Sequence, residues 1–402
     1  MNRPQRRSLR LYVGESETNN HPGELRTSRH ATWLELFFDL VFVVAIAGLA
    51  HFLHDHLDWT GIVSFAVLFV PIWWLWIDFS YYADQFDVEQ GFYRLIMLGV
   101  MFGMIVLGLT IPEALQNGSA QFASVYAALR FVIVGLYFQA WRLVPESREL
   151  TKRYTLSFAI ALVLWLASIV LPPPVRFVLW GIALLIEISN GPITYATIRS
   201  VPVQVSHMDE RFGLFVIIVL GEAILAVASG VSDIKWQWQE TLTAISGFIA
   251  AVSLWWLYFE CAEDSVINQA LRSNQKRALL KSFVYGYSHV LVFAGIVASG
   301  VGIQSAIEGV DVGQLSLATR TVLCGGISLY LIGLSAVQWA APRSLPNRIL
   351  GGRMLAAIAC IALIGLGGFL APVVLMGLLV LILIGLIQFQ WHSSTALKES
   401  QA

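Results

Sequence analysis

Trp33-Leu34-Glu35-Leu36-Phe37-Phe38-Asp39-Leu40-Val41-Phe42-Val43-Val44-Ala45-Ile46 opens an apolar run that continues to about residue 54, and it carries two carboxylates four residues apart. A run of that length crosses a bilayer as a helix. A carboxylate inside such a helix is expensive and has to be met by a partner or a function. Working outward, similar runs recur at about 60–84, 92–113, 120–143, 153–171, 175–198, 210–230, 240–262, 278–303, 315–340, 350–370 and 372–391. The expectation is therefore an all-α polytopic membrane protein with about twelve transmembrane helices.

Composition agrees. Of 402 residues, 57% are hydrophobic and 13% charged, with a mean hydropathy of +0.70. A soluble domain carries roughly 25% charged residues. The distribution of charge fixes an orientation. Twenty-one of the 25 Lys and Arg fall in segments that twelve spans place in the cytoplasm, if the N-terminus lies there. Arg176 and Lys235 fall in outer loops, and Arg130 and Arg320 within spans. This is the positive-inside pattern, and it puts both termini in the cytoplasm of a bacterial inner membrane. The polar first thirty residues lack an apolar core of their own, so the first span is expected to serve as the targeting signal.

Prolines divide two of the longer apolar stretches, at Pro172-Pro173-Pro174 and at Ala371-Pro372. The chain also resembles itself. Trp73-Trp74-Leu75-Trp76-Ile77-Asp78 matches Trp255-Trp256-Leu257-Tyr258-Phe259-Glu260, and Ala128-Leu129-Arg130 matches Ala318-Thr319-Arg320. Pro174 matches Pro372, and Asp39 lies nearest to Glu222. Four matches in one order point to duplication, and an even number of spans per copy makes the repeats parallel. The expected organisation is a cytoplasmic tail over 1–31, a first six-helix repeat over 32–200, a second over 201–392 and a cytoplasmic tail over 393–402.

Depth separates the ionisable residues. Thr32 and Glu35 fit a capping box at the start of the first helix. Asp39 lies one turn deeper, roughly 10 Å inside, beyond the reach of the cap. Asp78 lies at a similar depth in the second span, so the two acids are expected to face one another across adjacent helices. Arg130, Glu187, Glu222 and His289 lie roughly 12 to 18 Å in, near the middle of a core about 30 Å thick. Charges at that depth face a bundle interior and pair with one another. The four are read either as one ion-pair network that fixes helix register or as a proton relay. Arg320 lies shallower, snorkelling or attracting anions.

Other features are read as structural. His51, His54 and His56 at the outer end of the first span form a solvated cluster rather than a metal site. Asp84, Asp87 and Glu89, like Glu263 and Asp264, form solvated acidic turns. Trp59, Trp141, Trp236, Trp238 and Trp391 mark an aromatic belt. Gly295, Ala298, Ser299, Gly300 and Gly302 suit close helix contact. Cys261, Cys324 and Cys360 stand at unrelated spacings in apolar runs, which gives neither a disulfide framework nor a metal site. With no phosphate loop, dinucleotide fingerprint, nucleophile elbow or H-E-x-x-H, the chain is not read as an enzyme, and no cofactor or nucleic-acid partner is expected.

Three stretches together resemble the bacterial low temperature requirement protein A family. They are Trp33 to Val43, the run His207-Met208-Asp209-Glu210-Arg211-Phe212-Gly213-Leu214-Phe215 followed by Leu220-Gly221-Glu222, and the tryptophan-rich second span. The resemblance implies a multi-pass membrane protein linked by name to growth in the cold, and marks Glu35, Asp39, His207, Glu210, Arg211, Gly221 and Glu222 as motif positions. A more distant likeness joins Phe37, Asp39, Val41 and Phe42 to the first helix of endolysosomal-type potassium channels. Phe38 departs from that pattern, and so does Trp33. Three functions stay open. The one adopted is a secondary transporter of a small solute, proton-coupled through intramembrane carboxylates, with Asp39, Asp78, Arg130, Glu187, Glu222 and His289 as candidates for the transport or ion path. The alternatives are a cation channel and a non-transporting scaffold that meets only lipid.

Overall fold

The computed structural model describes residues 10–11, 32–87, 91–198, 207–231, 237–260, 276–340 and 347–401. Most of the N-terminal tail, Glu89, Lys235, Trp236, Cys261, Glu263 and Asp264 lie outside those residues. Among the described residues, twelve helices are long and apolar enough to cross a membrane. They are α1 (Trp33–Asp55), α2 (Trp59–Gln85), α3 (Gly91–Thr110), α4 (Ser119–Leu143), α5 (Arg148–Val170) and α6 (Val175–Thr197), then α7 (Met208–Val231), α8 (Trp238–Phe259), α9 (Lys276–Glu308), α10 (Leu317–Ala340), α11 (Asn347–Leu366) and α12 (Pro372–Gln401). Each expected span has its helix. The two proline breaks fall where expected, between Val170 and Val175 and between Leu366 and Pro372. α12 runs on through the stretch expected as a tail. A two-residue antiparallel pairing joins β1 (Arg10–Leu11) to β2 (Phe86–Asp87).

Why these stretches are membrane helices is plain in α3. Leu95, Leu98, Phe102, Ile105 and Leu109 recur at helical spacing and are exposed, while Met97, Met101, Met104 and Leu107 on the other side are buried. A water-facing helix would put polar residues on the outer stripe; an apolar one faces lipid. Helix starts follow local rules. Thr32 N and Thr32 Oγ1 donate to Glu35 Oε2 at 2.7 and 3.0 Å, and Glu35 N donates to Thr32 Oγ1 at 3.3 Å. This is the expected capping box. Gln237 and Glu240 form a second one at the start of α8.

The chain forms two compact units. The first comprises Met1–Ala45, Pro71–Arg211 and Asp264–Phe283; the second comprises Ile46–Val70, Phe212–Glu263 and Val284–Ala402. In the first, α5 packs against both α4 and α6, and α3 against α4. In the second, α11 packs against α10 and α12, and α12 against α8. α9 is the most buried of the twelve spans, and its small residues explain how. A methyl group added at Gly302 would come within 2.4 Å of Leu323 Cα, and one at Gly326 within 2.6 Å of Ser299 N. Backbones of α9 and α10 therefore touch with no room for a side chain between them, as small-residue contacts in membranes allow. Gly300 makes a similar approach to Ala223 of α7.

Candidate functional site

Two buried charge clusters lie in the first unit. The first is built by motif residues. Asp39 on α1 is 0% exposed, and its Oδ1 accepts from Trp76 Nε1 at 2.8 Å and from Arg211 Nη2 at 2.7 Å. The Arg211 guanidinium also reaches Ser80 O at 3.4 Å and lies beside the rings of Phe38 and Trp76. One turn before Arg211, His207 N donates to Asp84 Oδ1 at 2.6 Å. The start of α7 is thus held at two points, by Asp39 of α1 and Asp84 of α2. Asp84 is buried, not the solvated turn residue expected from its place near the helix end. Likewise Arg211, counted among cytoplasmic charges, is buried as an ion-pair partner. A one-to-one carboxylate–guanidinium pair with added hydrogen bonds is the form in which buried charge is tolerated.

The second cluster joins α2, α4 and α6. Asp78 Oδ2 accepts from Arg130 Nη1, and Arg130 Nε lies 3.0 Å from Glu187 Oε1. Arg130 is 0%, Glu187 1% and Asp78 4% exposed. The guanidinium carbon sits 4.7 Å from the centre of the Phe158 ring of α5. The two carboxylates are not equivalent. Asp78 holds a directed hydrogen bond. The Arg130–Glu187 contact is close but misdirected, so neither Glu187 oxygen has a hydrogen-bond partner among the described residues. One turn further along α6, Asn190 Nδ2 also lacks a partner there, while Asn190 Oδ1 accepts from Thr194 Oγ1 at 3.1 Å.

Asp39 and Asp78 therefore do not face one another as a carboxyl pair. Asp39 pairs with Arg211, and Asp78 with the Arg130 that Glu187 also approaches. Arg130, Glu187, Glu222 and His289 divide between the two units. Arg130 and Glu187 lie in the first unit with Asp78, whereas Glu222 and His289 lie in the second, with other neighbours. His289 is 0% exposed, with Nδ1 2.8 Å from Tyr285 O and Nε2 3.0 Å from Tyr258 OH. A carbonyl only accepts, so a neutral imidazole protonated on Nδ1 satisfies both contacts. Phe212 stacks on the ring at 4.1 Å. Glu222 is half-buried on α7, with His51 of α1 its electrostatic neighbour.

The remaining expectations divide. Arg320 donates from Nη1 to Ile364 O at 2.7 Å and to Gly365 O at 3.2 Å, tying α10 to the end of α11. His51 and His56 bond backbone carbonyls one turn back, and His54 Nε2 lies 3.0 Å from Glu308 Oε2. Trp59, Trp238 and Trp391 are exposed, as an aromatic belt requires. Glu210 and Gly221 keep their motif positions on α7. Sequence reading missed Arg353. It was counted as a loop cation, but it lies on α11, is 0% exposed, and donates to the side-chain carbonyls of Gln338 on α10 and Gln390 on α12. The available signal was its place about two turns inside a helix, beside two glutamines that themselves interrupt apolar runs.

Lipid-facing apolar stripes around buried charge clusters define a multi-pass membrane protein, and the comparisons with known proteins then place it. The model of the bacterial low temperature requirement A protein family matches residues 30–388, and the chain belongs to that family. It is also similar to an uncharacterized protein of Rhizobium meliloti (strain 1021), 29% identical over 358 residues that span 85% of this chain and 86% of the relative.

Proposed function

We propose that the chain is a secondary transporter of a small solute in the bacterial inner membrane, with cytoplasmic termini and proton coupling through its buried carboxylates. The observation that supports this reading is the charge balance of the second cluster. Two carboxylates share one guanidinium at full burial, and one of them has no well-aligned hydrogen bond among the described residues. Excess negative charge at that depth has to be balanced by a proton or cation that can arrive and leave, and ionisable groups inside membranes are characteristically placed on such paths. The duplicated arrangement of two parallel six-helix repeats belongs to the same proposal, because transporters commonly grow by doubling a bundle.

The test is proton movement in liposomes. Purified protein is reconstituted with a pH-sensitive dye inside, and a panel of amino acids, sugars, nucleosides and organic acids is added outside with an active transporter as control. At least one solute is expected to drive dye response in the wild type. A flat response across the panel, with the control working, overturns the reading.

A scaffold without transport is the second reading, and His289 favours it: both ring nitrogens are bonded, which makes this midplane histidine helix glue. It predicts that Glu187→Gln alters thermal stability alone. Solute-linked proton movement that is lost in a stable Glu187→Gln variant counts against it.

A further inference from the structure

We propose that Glu187 is the carboxyl that takes up and releases the proton, and that it does so through a polar stripe leading to the C-terminal end of α6. Asp78 and Arg130 are the fixed counter-pair. This assignment deepens the transport reading and rests on it for its purpose, though not for its test.

Geometry separates the two acids. Arg130 directs a hydrogen bond to Asp78, and Phe158 lies under the guanidinium, so that pair is held on two sides. Glu187 is ion-paired with Arg130 Nε at 3.0 Å but has no well-aligned hydrogen bond on either oxygen among the described residues. With both acids ionised the cluster holds one negative charge in excess, and a proton on Glu187 removes it at the cost of the Arg130–Glu187 ion pair while leaving the directed Arg130–Asp78 hydrogen bond in place. The charged and titratable groups facing Glu187 are Asp78 of α2 and Arg130 and Tyr126 of α4. Arg153 of α5 lies at the far end of the stripe.

The stripe follows from helical spacing. Glu187, Asn190, Thr194 and Thr197 stand at i, i+3, i+7 and i+10, which puts them on one face of α6 over about 15 Å. Exposure rises along it, from buried at Glu187, Asn190 and Thr194 to exposed at Thr197. Thr194 Oγ1 donates to Asn190 Oδ1, Thr197 Oγ1 donates to the carbonyls of Ile193 and Thr194 at 2.7 and 3.3 Å, and Arg153 Nη1 donates to Thr197 Oγ1. Hydroxyls and an amide on one face of an otherwise apolar helix supply hydrogen-bonding groups between a buried acid and the helix end.

Infrared titration of the purified full-length protein in nanodiscs tests this. A protonated-carboxyl C=O band is expected to grow as pH falls and to vanish in Glu187→Gln while surviving in Glu222→Gln. In Asn190→Leu/Thr194→Val, deuterium exchange of that band is expected to slow roughly tenfold (about 1.4 kcal/mol in the barrier). If Glu187→Gln does not fold, Glu187→Asp is used, and the band should persist at a displaced frequency. A titrating band that survives Glu187→Gln, that is unmoved in Glu187→Asp, or that does not occur in the wild type overturns the assignment. An exchange rate unchanged by the double substitution overturns the path. None of these readouts depends on finding a solute, so failure of the transport reading and failure of this one are seen separately.

Discussion

The Asp39–Arg211 site and the Asp78–Arg130–Glu187 site are both buried in the first compact unit, and both set arginine against aspartate. They differ in stoichiometry and in how they are held. Asp39 is paired with Arg211 and takes a tryptophan N–H on the same oxygen, with residues of two family motifs on either side and Glu35 as a further electrostatic neighbour of the arginine. Arg130 is divided between two acids, and only one of them receives a directed bond. The difference teaches that burial of charge alone does not mark function. The Asp39–Arg211 pair ties α1 to the start of α7, whereas in the triad two buried carboxylates divide one guanidinium.

Substitutions can break this comparison, beginning with the largest effect. Arg130→Met strands two buried carboxylates close together and is expected to lower stability by about 5 kcal/mol, the upper end for removing one partner of a buried pair. Tryptophan fluorescence during unfolding in detergent measures it. A loss equal to that of the Arg211 variant would mean that the two sites are alike. Arg211→Met strands one carboxylate, which keeps the Trp76 bond, and is expected to cost about 3 kcal/mol in the same assay.

Adding Asp39→Asn to Arg211→Met removes the stranded charge while leaving an oxygen for Trp76 Nε1. The double variant is expected to be about 2 kcal/mol more stable than Arg211→Met alone, as coupled neighbours are. Simple additivity of the two losses would show that the pair is not a unit. The smallest effect sharpens the comparison by standing outside it. Thr32→Ala breaks the capping box of α1 and should cost about 1 kcal/mol. Circular dichroism melts check that it leaves the ordering of the arginine variants unchanged.

Much of the fold was legible because its signals are local. Span length, proline breaks, the Thr32–Glu35 cap and the glycines of α9 each follow from a few adjacent residues and came out as expected. Failures occurred where a residue's role depends on helices distant in sequence. Arg211 and Arg353 looked like loop cations because each lies near a helix start, and only packing shows them buried. Asp84 looked solvated until His207, 123 residues away, was seen to donate to it. Helical spacing told which side chains share a face, as along α6, but not which neighbour that face meets.

By itself the sequence determined a twelve-helix membrane protein of the low temperature requirement A family, since hydrophobic length and motif identity are properties of the chain. Only tertiary structure decided which acid meets which arginine, because pairing is set by the packing of α1, α2, α4, α6 and the start of α7. That packing set Asp39 against Arg211 and Asp78 against Arg130, and left Glu187 with no well-aligned hydrogen bond among the described residues.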